Sequence, residues 1–426
     1  MASAYYAYKK NIHFHLFESS NHIGGNCRTI KIDQFKFDTG AHRFHDKIPS
    51  VTKEIKSLLG KELLKINAPS KIFQNDQFID FPIKIFNIYK FLDPIIIIKI
   101  VLEILYNQFF TNNKYLNFKD FSYKTYGKTL SELFLINYTE KLWGTEADLL
   151  SPTVSGDRLK NLSLYNIIKE ITLKKNKSKH LDGIFYYPKN GFGDIFNKVK
   201  DVIGDEHIYY NSHINKITHN DSHILNFQYG KNTIIPCKNL ISTLPLPTMI
   251  NILDPLPPQN IIDSINNLEY RSLKLCIILL NKPQISNNAS IYFPDKNLPF
   301  TRLYEPKNRS KYLTPRDKTC LVIEAPYTKN RQNTMCHNEN LIDIITSKLI
   351  KYNFFNLDEI INTKIIDIPY AYPILKNSIK NEVYSSLHYL KKFKNLHLLG
   401  RNAKFEYTHT HNLFNESYKK IDEIFK

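Results

Sequence analysis

The sequence predicts an α/β fold built from two interleaved domains. The chain has 426 residues, of which 42% are apolar and 23% are charged, values typical of globular proteins with room for two domains. Helix-rich and strand-rich blocks alternate along the chain without an internal repeat. A helical pattern opens the chain, and an alternating segment that ends in an acidic residue follows it. These observations favour an α/β architecture in which each domain is assembled from separate parts of the chain.

Periodicity and turn residues predict the N-terminal elements in order. They are a helix over 2–9, a strand over 12–18, a turn over 21–26, a β-hairpin over 29–38 and a helix over about 50–59. The strand is expected to end at the carboxylate of Glu18.

The remainder of the chain first favours helices and then short strands. The expected elements are a mainly helical region over 85–180, a strand and turn over 183–193, a helix from Asp194, short strands over 207–243, strands over 271–280 and 318–325, a helix over 338–352, a strand over 395–400 and a last helix from about Thr410. The alternation of these blocks indicates discontinuous domains.

The chain is strongly basic, with a formal net charge of +18. A polyanionic partner such as nucleic acid is one interpretation, and a biased Lys-rich composition is the other. The basic residues are scattered, with the densest cluster at 174–179, so we expect no nucleic-acid partner. A basic surface would still attract an anionic substrate, and weak contact with a membrane surface stays open.

Five cysteines stand far apart without a CxxC pair, which predicts neither a disulfide framework nor a zinc site and favours a reduced, cytoplasmic location. The most apolar stretch, 88–110, carries charged residues and a proline, so we expect no transmembrane segment. A buried helix is the expectation for this stretch, with a membrane-dipping or substrate-tunnel helix as the alternative.

The start of the chain is typical of a dinucleotide-binding βαβ unit, except that GxGxxG does not occur among its thirteen glycines. In such units backbone amides after the first strand hold a pyrophosphate, and an acid at the end of the next strand binds a ribose. Glu18 stands where that acid is expected. Counting back places the glycine loop before Met1, so we expect the first strand and its loop to be missing. An unrelated helix and strand is the alternative.

The segment FESSNHIGGNCRTI (17–30) resembles the signature of the FAD-dependent amine oxidase and protoporphyrinogen oxidase superfamily, which includes UDP-galactopyranose mutases. The resemblance implies that Glu18 binds the adenosine ribose of FAD. It also implies that Gly24, Gly25 and Arg28 lie near the pyrophosphate and the flavin. Glycines at such positions let the backbone approach a ligand closely.

Further motifs along the chain carry the same resemblance. FDTGAHRFHD (37–46) is similar to the family segment that passes the flavin ring, which implies that Gly40, Ala41 and His42 lie against the isoalloxazine. His42 and His45 are an alternative metal pair, but no third ligand is evident, so we predict no metal site. YTEKLWGTEADLLSP (138–152) resembles a block that shapes the substrate site, and it contains Trp143. Core packing is the alternative role for this tryptophan.

The C-terminal segment LLGRNAKFEYTHTHN (398–412) resembles the superfamily's last flavin-contacting loop. By this likeness Gly400 and Arg401 contact FAD, and Tyr407 and His409 lie near the ring. Ala403 stands where relatives often have glycine. The resemblance implies a Rossmann-like FAD-binding domain formed by 1–75, 185–250 and 385–426, and an α+β substrate-binding domain formed by 76–184 and 251–384.

The implied function is an FAD-dependent oxidoreductase that transfers a hydride from a small-molecule substrate to the flavin. Arg302 and Glu305 are candidate substrate contacts, because their segment is rich in charge and tyrosine. No catalytic base can be selected.

Two alternatives stay open. One is an isomerase similar to UDP-galactopyranose mutase, in which Arg158, Arg302 and Arg401 meet the diphosphate of a nucleotide-sugar. The other is a degenerate, non-catalytic binding protein.

Overall fold

The computed structural model describes residues 1–83, 89, 91–110, 114–155, 183–329 and 340–426. Arg158 and the lysine cluster at 174–179 lie outside the described residues. The chain forms an α/β fold in which helices pack on several β-sheets, as the sequence predicts.

The helices of the described residues are α1 (Ala2–Lys9), α2 (Pro49–Leu59), α3 (Pro94–Phe110), α4 (Phe118–Tyr126), α5 (Lys128–Leu130), α6 (Asn137–Trp143), α7 (Asp194–Ile203), α8 (Leu246–Asn251), α9 (Gln259–Asn266), α10 (Leu341–Lys351), α11 (Lys380–Leu390) and α12 (Thr410–Ile424). The strands are β1 (Leu16–Phe17), β2 (Thr29–Ile32), β3 (Phe35–Asp38), β4 (Leu63–Asn67), β5 (Ser70–Gln74), β6 (Gln77–Phe81), β7 (Ile184–Pro188), β8 (Ile208–Tyr209), β9 (Ile214–His219), β10 (Ile224–Tyr229), β11 (Thr233–Pro236), β12 (Leu240–Ser242), β13 (Leu253–Asp254), β14 (Tyr270–Leu280), β15 (Ser290–Tyr292), β16 (Arg302–Tyr304), β17 (Thr319–Tyr327), β18 (Ile360–Pro373) and β19 (Leu396–Leu398).

One half of the fold surrounds short parallel strand pairs. β1 pairs with β8, and β12 pairs with β19, both in parallel. The helices α1, α2, α7 and α12 cover one side of these strands with a common apolar core that includes Leu16 and Ile241. A second core below them contains Phe17, Leu240 and Leu396 and extends to the sheet β11-β10-β9-β13. Adjacent residues of each short strand therefore face opposite cores, as the two-residue period of a strand requires.

The other half is a seven-stranded sheet with the order β18-β14-β17-β16-β15-β5-β6. The interior strand β17 is buried along its whole length, because apolar residues of both sheet faces meet separate cores. α10 packs on one face, with Leu341, Ile345 and Leu349 buried at helical spacing. The β2–β3 hairpin packs on the other face through Phe35 and Phe37.

Several predicted elements are present, but some boundaries differ. The strand expected over 12–18 is reduced to Leu16–Phe17, and the long strand Ile360–Pro373 was not predicted. β5 pairs with β15 inside the seven-stranded sheet. Residues 70–74 therefore belong structurally to that sheet, although the predicted FAD-binding domain includes them in its 1–75 segment. The domain boundaries themselves stay a prediction.

The apolar stretch at 88–110 differs from the expected buried helix. Only Ile100 and Ile104 of α3 are buried, and most of its other apolar side chains face solvent. The expectation of a buried helix is therefore wrong for most of the helix surface. Within the described residues, no helix combines the length and the apolar continuity required to cross a membrane.

A buried carboxylate joins the two halves of the fold. Asp38 is fully buried at the end of β3, where it accepts hydrogen bonds from Thr29 Oγ1 (2.6 Å), from the Tyr187 hydroxyl and from the backbone N–H of Phe192 (2.9 Å). Tyr304 on β16 donates its hydroxyl to the Asp38 carbonyl at 2.6 Å. Burial raises the pKa of Asp38. Four donors from β2, from residues 187–192 and from β16 therefore converge on one residue, and the three that reach the carboxylate satisfy a costly buried charge.

The Asp38 network generates a stability prediction. Asp38→Ala should lower the free energy of unfolding by about 2–4 kcal/mol, because it leaves three buried donors without their acceptor. Tyr187→Phe should lower it by about 1–2 kcal/mol. Urea denaturation measures both changes, with Tyr8→Phe on the surface as the control. A loss in Asp38→Ala no larger than that of the control would contradict the role of this network.

Candidate functional site

The loop after β3 is held against the seven-stranded sheet by a buried ion pair. Arg302 and Glu324 stand opposite each other on β16 and β17. The guanidinium donates from Nε to Oε2 at 2.9 Å and from Nη2 to Oε1 at 2.7 Å. The same Oε1 accepts the backbone N–H of Ala41 at 2.9 Å. Because the pair is desolvated and bidentate, it fixes the position of the Gly40–His42 loop.

His42 presents a buried ring nitrogen at this loop. Its Nε2 atom has no hydrogen-bond partner among the described residues. Burial and then the positive charges of Arg302, Arg401 and Arg309 lower the pKa of His42 to about 3. The ring is therefore neutral at ordinary pH. A buried polar atom without a partner is rare in proteins, so the Nε2 atom is a position at which a ligand could complete a hydrogen bond.

An aromatic cluster lies beside these charges. The rings of Trp143, Tyr372 and Tyr407 have centroid separations of 5.5–5.9 Å from one another. The Arg401 guanidinium lies 5.4 Å from the Tyr372 ring and 5.0 Å from the Tyr407 ring. His409 continues the cluster, with its ring 5.3 Å from that of Tyr407. Aromatic walls with a cation between them suit a planar, partly anionic ligand.

The two sides of the site are linked through Tyr372. Burial and then the charge of Glu324 raise the pKa of the Tyr372 hydroxyl, while Arg302 and Arg401 oppose that rise. Both guanidinium groups are thus close enough to this tyrosine to influence it. The ion pair, the aromatic cluster and the Gly40–His42 loop consequently form one site.

The segment at 18–28 forms a second polar region. Glu18 Oε1 accepts from the Ser20 N–H at 2.9 Å and from the Ser20 hydroxyl at 2.8 Å. Arg28 contacts the His22 ring. Burial lowers the pKa of Arg28, and the negative charge of Glu18 partly offsets that effect, which shows that the two side chains share one environment.

The glycines of this segment differ in what surrounds them. Gly24 has φ 92° and packs against Phe196, so the turn itself requires a left-handed residue. Gly25 has φ 53°, and a Cβ built on it would meet nothing within 4 Å. The space over Gly25 is therefore open to a ligand.

Backbone carbonyl oxygens of β18 hydrogen-bond to both the loop at 24–28 and the loop at 400–409. The carbonyl of Tyr370 accepts hydrogen bonds from Asn26 Nδ2 and from Asn402 Nδ2, each at 3.0 Å. The next carbonyl, that of Ala371, accepts from Arg401 Nη1 at 3.1 Å. The loop at 24–28 and the loop at 400–409 therefore meet at one point of the seven-stranded sheet, although they stand far apart in sequence.

Arg271, which the sequence does not single out, supports Trp143. Its guanidinium is buried and donates to the carbonyls of Lys141 (2.9 Å) and Leu142 (3.0 Å). It packs so closely against Gly144 that a Cβ there would lie 2.6 Å from Nη1. Trp143 is thereby fixed at the end of α6. Arg271 is the second residue of the apolar strand β14, and nothing in the neighbouring sequence indicates that its partners lie at the end of α6.

Glu305 lies in a different hydrogen-bond network. Its carboxylate accepts from the backbone N–H groups of Ile285 and Ser286, both at 3.1 Å, and from Thr319 Oγ1 at 2.6 Å. Burial raises its pKa. The structure thus places Arg302, through Glu324, beside the Gly40–His42 loop, and no described contact joins Glu305 to that loop or to the aromatic cluster. A substrate role for Glu305 stays a prediction.

The site residues divide into those the sequence indicates and those it misses. The structure gathers Gly40, Ala41, His42, Trp143, Arg302, Arg401, Tyr407 and His409 around the ion pair and the aromatic cluster, and Gly400 directly precedes Arg401 in the chain. Glu324 and Tyr372 complete this group. A single acid within the apolar run of β17 is the sequence signal for Glu324. Among the described residues, no group of three or more His, Cys, Asp or Glu side chains is arranged to hold a metal ion.

The sequence profile of one protein family matches most of the chain. It is described as flavin containing amine oxidoreductase, and the match covers residues 1–351. No curated protein sequence matches the chain.

Several solved structures are similar to the whole chain. A reduced UDP-galactopyranose mutase has a TM-score of 0.85 at 17% identity, with 99% of this chain and 91% of that chain covered. A protein assigned as a protoporphyrinogen oxidase from Exiguobacterium sp. 255-15 has a TM-score of 0.77 at 14% identity, with 99% and 95% covered. A putrescine oxidase bound to putrescine has a TM-score of 0.68 at 11% identity, with 99% and 96% covered. At these identities the likeness establishes a shared fold.

The ion pair generates the second prediction. Glu324→Gln should lower the free energy of unfolding by about 3–5 kcal/mol, because it leaves the Arg302 guanidinium buried without its counter-charge. The double variant Arg302→Met/Glu324→Leu should recover part of that loss. Chemical denaturation provides the measurement. Asp254→Asn, which removes the partly exposed pair with Lys216, serves as the control and should cost less than about 1 kcal/mol. Equal losses in both single variants would contradict this account.

The third prediction concerns the acid sensitivity of His42. Its pKa is lowered from 6.5 to about 3 in the folded chain, so the unfolded chain binds a proton that the folded chain does not between those values. The contribution of His42 to stability is therefore complete above about pH 6.5 and declines as pH falls towards 3. His42→Asn should make unfolding less sensitive to pH between 7 and about 5. Urea midpoints at the two pH values measure this difference, with His388→Asn on the exposed face of α11 as the control. An unchanged pH dependence in His42→Asn would refute the buried, neutral ring.

Proposed function

Because the chain belongs to the family of flavin-containing amine oxidoreductases, we propose that it oxidises a small-molecule substrate with FAD as its cofactor. Bound flavin supplies a two-electron acceptor for such a reaction. The observation that carries the proposal is the buried Nε2 atom of His42, which has no described partner and lies in the loop that the Arg302–Glu324 pair holds. The identity of the substrate is left to experiment.

The residues fit an FAD molecule in two respects. The open space over Gly25 means that the protein's own packing leaves this position accessible, whereas a Cβ on Gly40 would meet His42 and Glu324 at 3.5–3.6 Å. His42 supplies a neutral imidazole whose Nε2 atom offers one hydrogen-bonding position to a heteroaromatic edge. Glu18 is proposed to bind ribose hydroxyls, and Arg28 is proposed to bind phosphate oxygens.

Side chains of the protein would exclude water from the bound flavin and fix its orientation. Trp143 is buried, and Tyr372 and Tyr407 pack around it, so these rings exclude water from one side of the site. The bidentate contact of Arg302 with Glu324 keeps that guanidinium in one orientation beneath the Gly40–His42 loop. The positive charge of Arg401 favours an anionic ligand or substrate next to His42, whereas Glu324 neutralises the charge of Arg302.

A second candidate is a flavin-dependent isomerase of nucleotide-sugars. Its support is the TM-score of 0.85 with the UDP-galactopyranose mutase structure and the two guanidinium groups beside Tyr372. The hydrogen bonds of Arg401 weigh against it, because Nε and Nη2 donate to the Thr408 carbonyl and Nη1 donates to that of Ala371. A guanidinium engaged in this way has fewer donors for a diphosphate, so oxidation is the function we propose.

The fourth prediction tests the cofactor and the reaction together. Purified protein supplied with FAD should show a flavin absorption spectrum, and anaerobic addition of an oxidisable substrate such as an amine should bleach it. A folded protein without flavin absorption would overturn the cofactor assignment for this chain. Interconversion of UDP-galactose ring forms after chemical reduction of the flavin, without bleaching by any amine tested, would replace the proposed oxidation by the isomerase.

A glycine variant locates the cofactor within the same experiment. Gly25→Ala should lower stability by about 1–2 kcal/mol through its left-handed backbone, and it should weaken FAD binding at least about tenfold by filling the open space. Gly60 (φ 52°) and Gly230 (φ 61°) likewise have nothing within 4 Å, so Gly60→Ala and Gly230→Ala are matched controls. Equal FAD affinity in all three variants would contradict the placement of the cofactor near Gly25.

A further inference from the structure

Helix α3 shows its apolar side chains to solvent and its polar side chains to the protein. Glu103 accepts hydrogen bonds from the N–H and the hydroxyl of Thr129, both at 2.7 Å. Asn107 donates from Nδ2 to the carbonyl of Tyr123 on α4. Together with the buried Ile100 and Ile104, these contacts fix which side of the helix faces inward. The orientation is the reverse of that in an ordinary surface helix.

The outward side of α3 is a continuous apolar face. Ile95, Phe109 and Phe110 are 75%, 76% and 74% exposed. The apolar face comprises Ile95, Ile98, Val101, Leu102, Leu105, Tyr106, Phe109 and Phe110. Its members recur at spacings of three and four, so they lie on one side of the helix over its full length. Isolated apolar residues at a surface are common, but a contiguous face of large side chains marks an interaction site.

Positive charge borders the apolar face. Lys99 is exposed on α3 itself, and Lys114 is exposed beyond its C-terminal end. A cavity of about 380 Å³ between α3 and α4 is lined by Leu102, Tyr106, Lys124 and Lys128, among others. The acidic groups nearby are engaged, since Glu103 binds Thr129, and Asp120 pairs with Lys124 at 3.0 Å. The net charge of +18 adds a long-range positive potential.

We propose that α3 docks on the surface of an anionic lipid bilayer. Phe, Leu and Ile side chains on one side and lysines at the border match the requirements of an interfacial helix, which buries its apolar face at the headgroup boundary. The exposed Lys99 on α3 and Lys128 at the cavity meet lipid phosphate groups. A helix that protrudes from the protein surface can insert its apolar face into a bilayer. The negative charge of the bilayer complements the basic surroundings of α3. The proposal does not depend on which substrate the flavin site takes.

The fifth prediction is tested by vesicle flotation of the full chain. The protein should float with vesicles of phosphatidylcholine mixed with phosphatidylglycerol, and much less with phosphatidylcholine alone. Phe109→Glu/Phe110→Glu should weaken binding to the anionic vesicles at least about tenfold. The matched control is Leu256→Glu/Leu357→Glu, which makes the same charge change at side chains that are 68% and 71% exposed on other elements. The control should retain most of its binding.

Three results would overturn this proposal. The first is a wild-type chain that does not float with anionic vesicles. The second is an equal loss of vesicle binding in both double variants, which would mean that net charge, and not the apolar face, determines binding. The third is a lipid-free dimer, detected by sedimentation velocity, that the Phe109→Glu/Phe110→Glu variant converts to monomer, because a second copy would then cover the apolar face.

A single-residue probe covers the case in which the double variant is unfolded. Phe109→Trp and Leu357→Trp each add one tryptophan at an exposed site. Brominated acyl chains in anionic vesicles should quench the emission of Phe109→Trp more strongly than that of Leu357→Trp. Equal quenching would again overturn the proposal.

Discussion

The buried carboxylate of Asp38 is the constraint on which the arrangement of the chain depends. It receives donors from the β2–β3 hairpin, from β7 and from the turn before α7, and its carbonyl receives the hydroxyl of Tyr304 from the seven-stranded sheet. Desolvation makes such a charge unfavourable unless its three carboxylate donors are present. The hydrogen bond from Tyr304 then ties the end of β3 to β16.

The location of the functional site follows from that constraint. Residues 39–42 continue directly from Asp38, so the network that fixes the end of β3 also fixes where the His42 loop begins. The Arg302–Glu324 pair then holds the loop from the other side through the N–H of Ala41. A loop clamped at both points loses little conformational entropy when a ligand binds, which is the physical meaning of a preorganised site.

Local sequence patterns predicted the elements whose formation depends on neighbouring residues. The helices at 2–9 and 410–424 and the hairpin at 29–38 have strong periodicity, and their bounds agree closely with the structure. The strand at 12–18 was too long in the prediction, because only Leu16 and Phe17 have a parallel partner in β8. Pairing partners distant in sequence decide strand length, and periodicity contains no information about them.

The same distinction applies to the site. Glycine-rich and aromatic motifs indicated His42, Trp143 and Arg401, because backbone approach and planar contact demand specific residue types. Glu324 and Arg271 were missed, since each acts through a partner more than twenty residues away, and an isolated charge in an apolar strand marks a buried polar residue without identifying its partner. The exposure of α3 was also missed, because periodicity reveals an apolar side of a helix but not the direction in which it faces.

The contact between Arg271 and Gly144 has a consequence for how this chain can diverge. A methyl group at position 144 would lie 2.6 Å from the guanidinium, and loss of the guanidinium would leave the end of α6 without its hydrogen bonds. Neither residue can change alone without cost, so substitutions at the two positions should be epistatic. The position of the Trp143 ring therefore depends on Gly144 and Arg271 together. A change in the shape of the pocket beside Trp143 would require both residues to be replaced.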